Sequence, residues 1–227
     1  MFQPRHAIGT GLCAAARSMA WPMFDARIRP LIDPVLNAQG RRLARLGVTA
    51  DVVTLTGLAL GLVAAIVIAM GAPGWALVPL LASRLADGLD GAVARASQTT
   101  DFGGYLDITS DFLFYGAIPL AFVWLDPAAN GAAGAFLLCS FYFNGASFLG
   151  FAILAEKRQM RTDARGVKSL YFTGGLLEGF ETIAFFVVLC LLPAWFAPLA
   201  WGFGALCFVT GTSRLLLARQ VFSEKGE

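Results

Sequence analysis

Residues 87–111 read DGLDGAVARASQTTDFGGYLDITSD, and the fold follows from how such a stretch can exist in this chain. It holds five aspartates and one arginine, in a protein of 227 residues that is 57% hydrophobic and only 14% charged. Water-soluble domains carry roughly 25% charged residues, so a soluble globular protein does not fit. Asp87, Asp90, Gly91, Ala94 and Arg95 stand at i, i+3, i+4, i+7 and i+8, on one helical face. Gly103, Asp107 and Asp111 recur at i, i+4 and i+8, again on one face. The turn between them, ASQTTDF, is short, so the two helices are expected to be antiparallel neighbours with their polar faces meeting. An ionised carboxylate in hydrocarbon costs about 2.5–3.5 kcal/mol on insertion scales. Four of them together ask for a compensating cation.

Outward from this stretch, apolar runs near the ~20 residues that cross a bilayer recur along the chain. Six spans are expected, near Val52–Met70, Trp75–Ala94, Gly104–Trp124, Ala132–Ala155, Leu176–Leu192 and Trp195–Leu217. The breaks GAPG (71–74), DPAAN (126–130) and LPAW (192–195) contain no Lys or Arg. Of the 17 Lys and Arg, all but Arg84 fall on the N-terminal tail, the loops at 95–103 and 156–172, or the C-terminal stretch from Arg214. By the positive-inside rule that side is cytoplasmic. The expected fold is therefore an all-α integral membrane protein with six transmembrane helices and both termini in the cytoplasm. The polar stretch then wraps a cytoplasmic turn.

Residues 1–22 read as a surface-lying tail, too short in its apolar run for a signal peptide. From Met23 to Leu46, apolar Ile28, Leu31, Val35, Leu43 and Leu46 face away from Arg27, Arg29, Arg41, Arg42 and Arg45. Pro30, Pro34 and Gly40 are expected to break this amphipathic segment into one or two short interfacial helices. The expected divisions are 1–47 for the tail and juxtamembrane segment, 48–217 for the six-helix membrane domain and 218–227 for a C-terminal tail. Cys13, Cys139, Cys190 and Cys207 show no metal-ligand spacing and read as small hydrophobes. The single histidine, His6, is far from every polar cluster, which disfavours histidine acid–base chemistry.

Oxygen-only ligands suit a hard cation such as Mg²⁺ or Mn²⁺, which usually shares its coordination sphere with substrate phosphates. Four carboxylates, Asp87, Asp90, Asp107 and Asp111, are enough for a pair of ions. Gly91, Ala94 and Gly103 leave the polar face almost bare, so a ligand or a helix backbone can come close. A cation or proton path is the competing reading of intramembrane acids. It is disfavoured because the acids cluster toward one side. A purely structural polar cluster is also disfavoured, since four acids face only Arg84 and Arg95.

The spacing Asp87-x₂-Asp90-Gly91-x₂-Ala94-Arg95-x₇-Gly103-x₃-Asp107-x₃-Asp111 resembles the signature of the CDP-alcohol phosphotransferases. The commonest form has eight residues between Arg and Gly where this chain has seven, a one-residue deletion in a loop. The entry Thr49-x-Asp51-x₂-Thr54-x₂-Gly57 is similar to the family's usual start of its first span, with Asp51 where Asn is common. The stretches at 105–115 and 174–186 look like a little-characterised bacterial inner-membrane branch. The resemblance implies transfer of a phosphatidyl group from a CDP-linked lipid to an alcohol, with release of CMP, in phospholipid biosynthesis. By the same resemblance, Asp87, Asp90 and Asp107 would hold a pair of Mg²⁺ or Mn²⁺ ions, with Asp111 contributing or lying beside them. Asp111 would be the general base. Gly91, Ala94, Arg95 and Gly103 would line the CDP diphosphate. The family also implies a homodimer in the bacterial inner membrane, with its site facing the cytoplasm. No nucleic-acid partner is expected.

Arg84, at i−3 from Asp87, either pairs with that acid or touches a phosphate. Glu178 and Glu181 either form part of an acceptor pocket or pair with loop cations. Arg165, Lys168 and Arg214 either bind an acceptor phosphate or serve as positive-inside determinants. Asn144 and Ser147 read as inter-helix hydrogen bonds. Glycerol 3-phosphate is the first expectation for the acceptor, with inositol, inositol phosphate, serine or another polyol open. Hydrolysis, or a CDP-lipid-binding scaffold without turnover, are the alternatives in function.

Overall fold

The computed structural model describes residues 24–158 and 179–223. Seven α-helices account for nearly all of them: α1 (Phe24–Arg45), α2 (Ala50–Ala69), α3 (Pro73–Ala96), α4 (Asp101–Leu125), α5 (Pro127–Lys157), α6 (Gly179–Leu191) and α7 (Phe196–Phe222). A single 3₁₀ turn, Pro193–Trp195, joins the last two.

Local chemistry sets the helix ends. Thr49 caps α2 by accepting from the Val52 amide, and Thr100 caps α4 by accepting from the Gly103 amide at 2.9 Å. Asp126 caps α5 through the Ala129 amide at 3.0 Å, with Pro127 in the first turn. The DPAAN break therefore shrinks to one capping residue, and α5 is longer than hydropathy alone predicts. Asp101, expected in the turn, is the first residue of α4, so only Ser97–Thr100 connect α3 to α4.

Among the described residues, four segments are long and apolar enough to cross a membrane: Ala50–Ala69, Asp101–Leu125, Pro127–Lys157 and Pro193–Phe222. The first, at 20 residues, is about 30 Å long at 1.5 Å per residue. Helix α3 has 24 residues but carries Arg84, Asp87, Asp90 and Arg95, and the described part of α6 has 13. The outside of these helices is oily. Ile66, Val78, Ile153 and Val209 are all more than half exposed, as lipid-facing positions require.

Helix α2 packs against both α3 and α4, α5 against α7, and α3 touches α1 on one side and α6 on the other. The core between them is built from Ile68, Leu80, Phe114, Ile118, Phe122, Phe186, Leu189 and Phe196. Phe122 stacks on Phe196 at 5.1 Å between ring centroids, and Phe185 on Phe203 at 4.0 Å.

The juxtamembrane segment differs from expectation: α1 runs unbroken through positions 30, 34 and 40. The reason at Gly40 is packing. A Cβ there would stand 2.7 Å from the Ala92 backbone carbon, so this glycine brings α1 onto α3 and does not end it. Leu36 reaches Gly88 one turn away, which places α1 directly behind the aspartate helix.

Candidate active site

Asp87 and Asp90 project from α3, and Asp107 and Asp111 from α4, on facing sides of the hairpin closed by Ser97–Thr100. Asp87, Asp90 and Asp107 each offer one carboxylate oxygen, and these three atoms lie within 4.8 Å of one another. The donor set is all oxygen and anionic, which fits a hard divalent cation. These are the residues that would hold it.

Asp111 is placed differently. Its Oδ1 accepts from Arg84 Nη1 at 2.8 Å across the two helices. Asp87 Oδ1 is 3.4 Å from the same nitrogen. The sequence points to an Arg84–Asp87 pair within one helix. The structure keeps that contact but gives the shorter one to Asp111, 27 residues away. The Arg84 side chain is 10% exposed, and its guanidinium carbon lies 3.8 Å from the Phe114 ring centroid.

Asp90 is the most enclosed of the four acids and accepts a 2.6 Å hydrogen bond from Thr54 Oγ1 on α2. Thr54 also donates to the Ala50 carbonyl at 3.1 Å, so its hydroxyl is shared between helix and site. The sequence marked Thr54 only as part of a helix entry. Its hydrogen bond to Asp90 was a missed role, and the signal for it was a hydroxyl one helical turn beyond Asp51.

Gly91 lies under the Arg95 side chain, with a Cβ there meeting Arg95 Nη1 at 3.2 Å. Arg95 is exposed and donates to Asn37 Oδ1 of α1 at 3.1 Å, a partner not evident in the sequence. Ala94 is half-buried on the same face. Gly103 faces Asp51, whose Oδ1 would be 3.2 Å from an added Cβ. Gly91 and Arg95 lie on α3 with Asp87 and Asp90, and Gly103 on α4 with Asp107 and Asp111.

A cavity of about 490 Å³ adjoins the cluster between α4, α5, α6 and α7. Asp111 and Tyr115 line it from α4, Asn144 and Phe148 from α5, Thr182 from α6 and Arg214 from α7. Arg214 is 5% exposed, and its Nη1 donates to the Asn144 carbonyl at 3.1 Å, Asn144 Oδ1 at 3.0 Å and Ser147 Oγ at 2.8 Å. Asn144 and Ser147 therefore make the inter-helix bonds expected of them. Glu181 lies in the first turn of α6. Arg165, Lys168, Glu178 and Cys13 lie outside the described residues. Cys139, Cys190 and Cys207 are free thiols, the last two buried.

The sequence model described as CDP-alcohol phosphatidyltransferase matches residues 47–216. The chain belongs to that family. Among known proteins, inner membrane protein YnjF of Escherichia coli K12 is 48% identical over 193 residues, 85% of this chain and 94% of that one. Phosphatidylinositol phosphate synthase of Mycolicibacterium smegmatis is 32% identical over 167 residues, 69% of this chain and 68% of its own. Archaetidylinositol phosphate synthase of Methanothermobacter thermautotrophicus is 40% identical over 96 residues, 42% and 46% of the two chains. No solved structure matches the chain. As a CDP-alcohol phosphatidyltransferase family member the protein is a transferase, and its aspartate hairpin falls wholly inside the matched region.

Proposed function

We propose that the protein transfers a phosphatidyl group from a CDP-linked lipid, such as CDP-diacylglycerol, to the hydroxyl of a small alcohol, releasing CMP. The observation that carries this reading is the convergence of three carboxylates from two facing helices, with a fourth acid beside them lining a cavity. Asp87, Asp90 and Asp107 would hold Mg²⁺ or Mn²⁺ ions, which supply charge neutralisation at the diphosphate. Gly91, Ala94, Arg95 and Gly103 receive the CDP moiety, with Arg95 offering its guanidinium to phosphate. Asp111 takes the proton from the acceptor hydroxyl as that oxygen bonds to the lipid-side phosphorus and the bond to the CMP oxygen breaks.

The acceptor occupies the cavity between α4 and α7, with its hydroxyl at Asp111. A phosphorylated polyol fits the positioning of Arg214 in the cavity wall and the basic residues Arg165 and Lys168 that follow α5 in sequence. Glycerol 3-phosphate and an inositol phosphate are the two candidates, the second supported by relatives named for inositol phosphate lipids. Glu178 and Glu181, three apart in sequence, are assigned to the acceptor's hydroxyls. The reading includes six membrane crossings, cytoplasmic termini, a homodimer and a cytoplasm-facing site in the bacterial inner membrane. The one-sided distribution of Lys and Arg and the likeness to an inner membrane protein support that placement.

The test is purified protein with CDP-diacylglycerol, a panel of alcohols and mass spectrometry of the lipid product. CMP release is expected only with divalent metal and acceptor, and is expected to be lost in Asp87→Asn and Asp111→Asn. Unchanged release in both variants overturns the reading. Metal-dependent CMP release without any alcohol identifies a hydrolase, and CDP-lipid binding without release identifies a scaffold.

A further inference from the structure

Arg84 is a charged residue beside the acids of a site whose other cation, Arg95, is assigned above to the diphosphate. Two roles are open to it by chemistry: a phosphate contact or an anchor for an acid. The geometry distinguishes them. The side chain is 10% exposed, Nη1 sits between Asp111 Oδ1 at 2.8 Å and Asp87 Oδ1 at 3.4 Å, and Nη2 is 3.1 Å from Ser83 Oγ. One face of the guanidinium is covered by the Phe114 ring at 3.8 Å.

Phe114 is itself fully buried and fixed from behind. Its ring meets Tyr115 edge-on at 5.7 Å and Phe186 at 5.8 Å. It also fills the notch left by Gly61 on α2, where an added Cβ would stand 2.6 Å from Phe114 Cδ2. Gly61, Phe114 and Arg84 therefore form a stack that ends on one oxygen of Asp111. A flexible arginine is held by a rigid ring, and the ring by a backbone.

We propose that Arg84 is a positioning residue: seated on Phe114, it holds Oδ1 of Asp111 and so aims that carboxylate at the cavity it lines, where the acceptor hydroxyl would arrive. This rests on the phosphatidyl transfer proposed above. Asp111 keeps its role as the group that touches substrate, and Arg84 acts only through it. The carboxylate at 111 is thereby oriented by a protein cation, as that of Asp90 is by the Thr54 hydroxyl, without a bound ion. That suits a base that must be aimed before the acceptor arrives.

The experiment is a mutant cycle on the full-length protein in detergent or nanodiscs, reading CMP release, KM for CDP-lipid and Mn²⁺ binding by electron paramagnetic resonance. Arg84→Gln is expected to lower kcat by roughly 10–100-fold, the scale of a misaimed catalytic group. KM for CDP-lipid and Mn²⁺ affinity should stay within about twofold, the pattern of a loss confined to the transition state. In an Asp111→Asn background the same Arg84→Gln change should cost little more, because the two residues act as one unit. Arg84→Lys should recover part of kcat. If Arg84→Gln does not fold, Phe114→Leu, which removes the platform and keeps the ion pair, should show the same fall in kcat without a change in Mn²⁺ binding. Three outcomes overturn the proposal: a loss that falls on KM for CDP-lipid, a loss of Mn²⁺ binding, or full additivity of the Arg84 and Asp111 changes. Absence of CMP release from the wild-type protein sinks the assigned reaction instead, and Arg84 then has no base to position.

Discussion

Thr54 shows how much a single hydroxyl on a neighbouring helix contributes to this site. It donates to Asp90 at 2.6 Å from α2, fixing one carboxylate of the three-acid cluster from outside the hairpin that carries it. Partners of this kind are worth roughly 10–100-fold in metal affinity where they have been removed elsewhere. Thr54→Val is accordingly expected to weaken Mn²⁺ binding by roughly tenfold or more, and Thr54→Ser to restore most of it. Equal Mn²⁺ titrations for wild type and Thr54→Val would show that Asp90 is aimed by something else. The four aspartates themselves were legible in the sequence, because helical spacing in an oily chain is a simple signal. The partner of Arg84 was not. Local spacing favours Asp87 at i+3, whereas the shorter bond runs to Asp111. Which of two acids is nearer depends on how α3 and α4 are rotated, and no single helix carries that information.

At the level of elements, the hydropathy runs located α2, α4, α5 and α7 well, and missed the behaviour of α1. Proline and glycine rules treat each residue by its own backbone preference, and they break the segment at Gly40. In the folded chain that glycine is a contact surface, pressed on Ala92 of α3. Gly40→Leu is therefore expected to push α1 off α3 at a cost of about 1–3 kcal/mol, the usual scale of overpacking. Faster hydrogen exchange confined to α1 and the end of α3 is the readout, and unchanged protection there would argue against the contact. Arg214 ties α5 to α7 through Asn144 and Ser147 and also lines the cavity beside Asp111. Arg214→Gln is expected to raise KM for a phosphorylated acceptor by roughly tenfold or more, the loss of a charge-assisted contact, while KM for CDP-lipid stays unchanged. A change in both constants would mean that Arg214 serves the helix pair alone. Arg165, Lys168 and Glu178, for which the sequence left acceptor binding open beside charge-placement and ion-pair roles, lie outside the described residues.

Across the whole molecule, the charge pattern makes a prediction that the helix packing does not. With both termini and the α3–α4 turn on one side, Ser223 and Ser97 should share a compartment, and Gly74 should lie in the other. In a background lacking the native cysteines, Ser223→Cys and Ser97→Cys should react with a membrane-impermeant maleimide only in inverted vesicles, and Gly74→Cys only in intact cells. Labelling of all three from the same side would break the six-crossing topology. The all-α architecture and its long apolar helices were open to reading because a bilayer imposes length and polarity on a span. The cavity was not, since it depends on how the α4–α5 and α6–α7 pairs are set against each other.

The four-residue link between α3 and α4 also bears on how the protein is made. A short link costs little entropy to close, so these two helices can pair as soon as both have left the ribosome. Arg84 and its two acids then enter the bilayer together as a partly neutralised unit, which lowers the penalty each charge would face alone. The acid cluster is in this way one of the first parts of the chain able to assemble, and α5, α6 and α7 are added to a site whose charges are already partly neutralised. Biogenesis and chemistry draw on the same ion pairs.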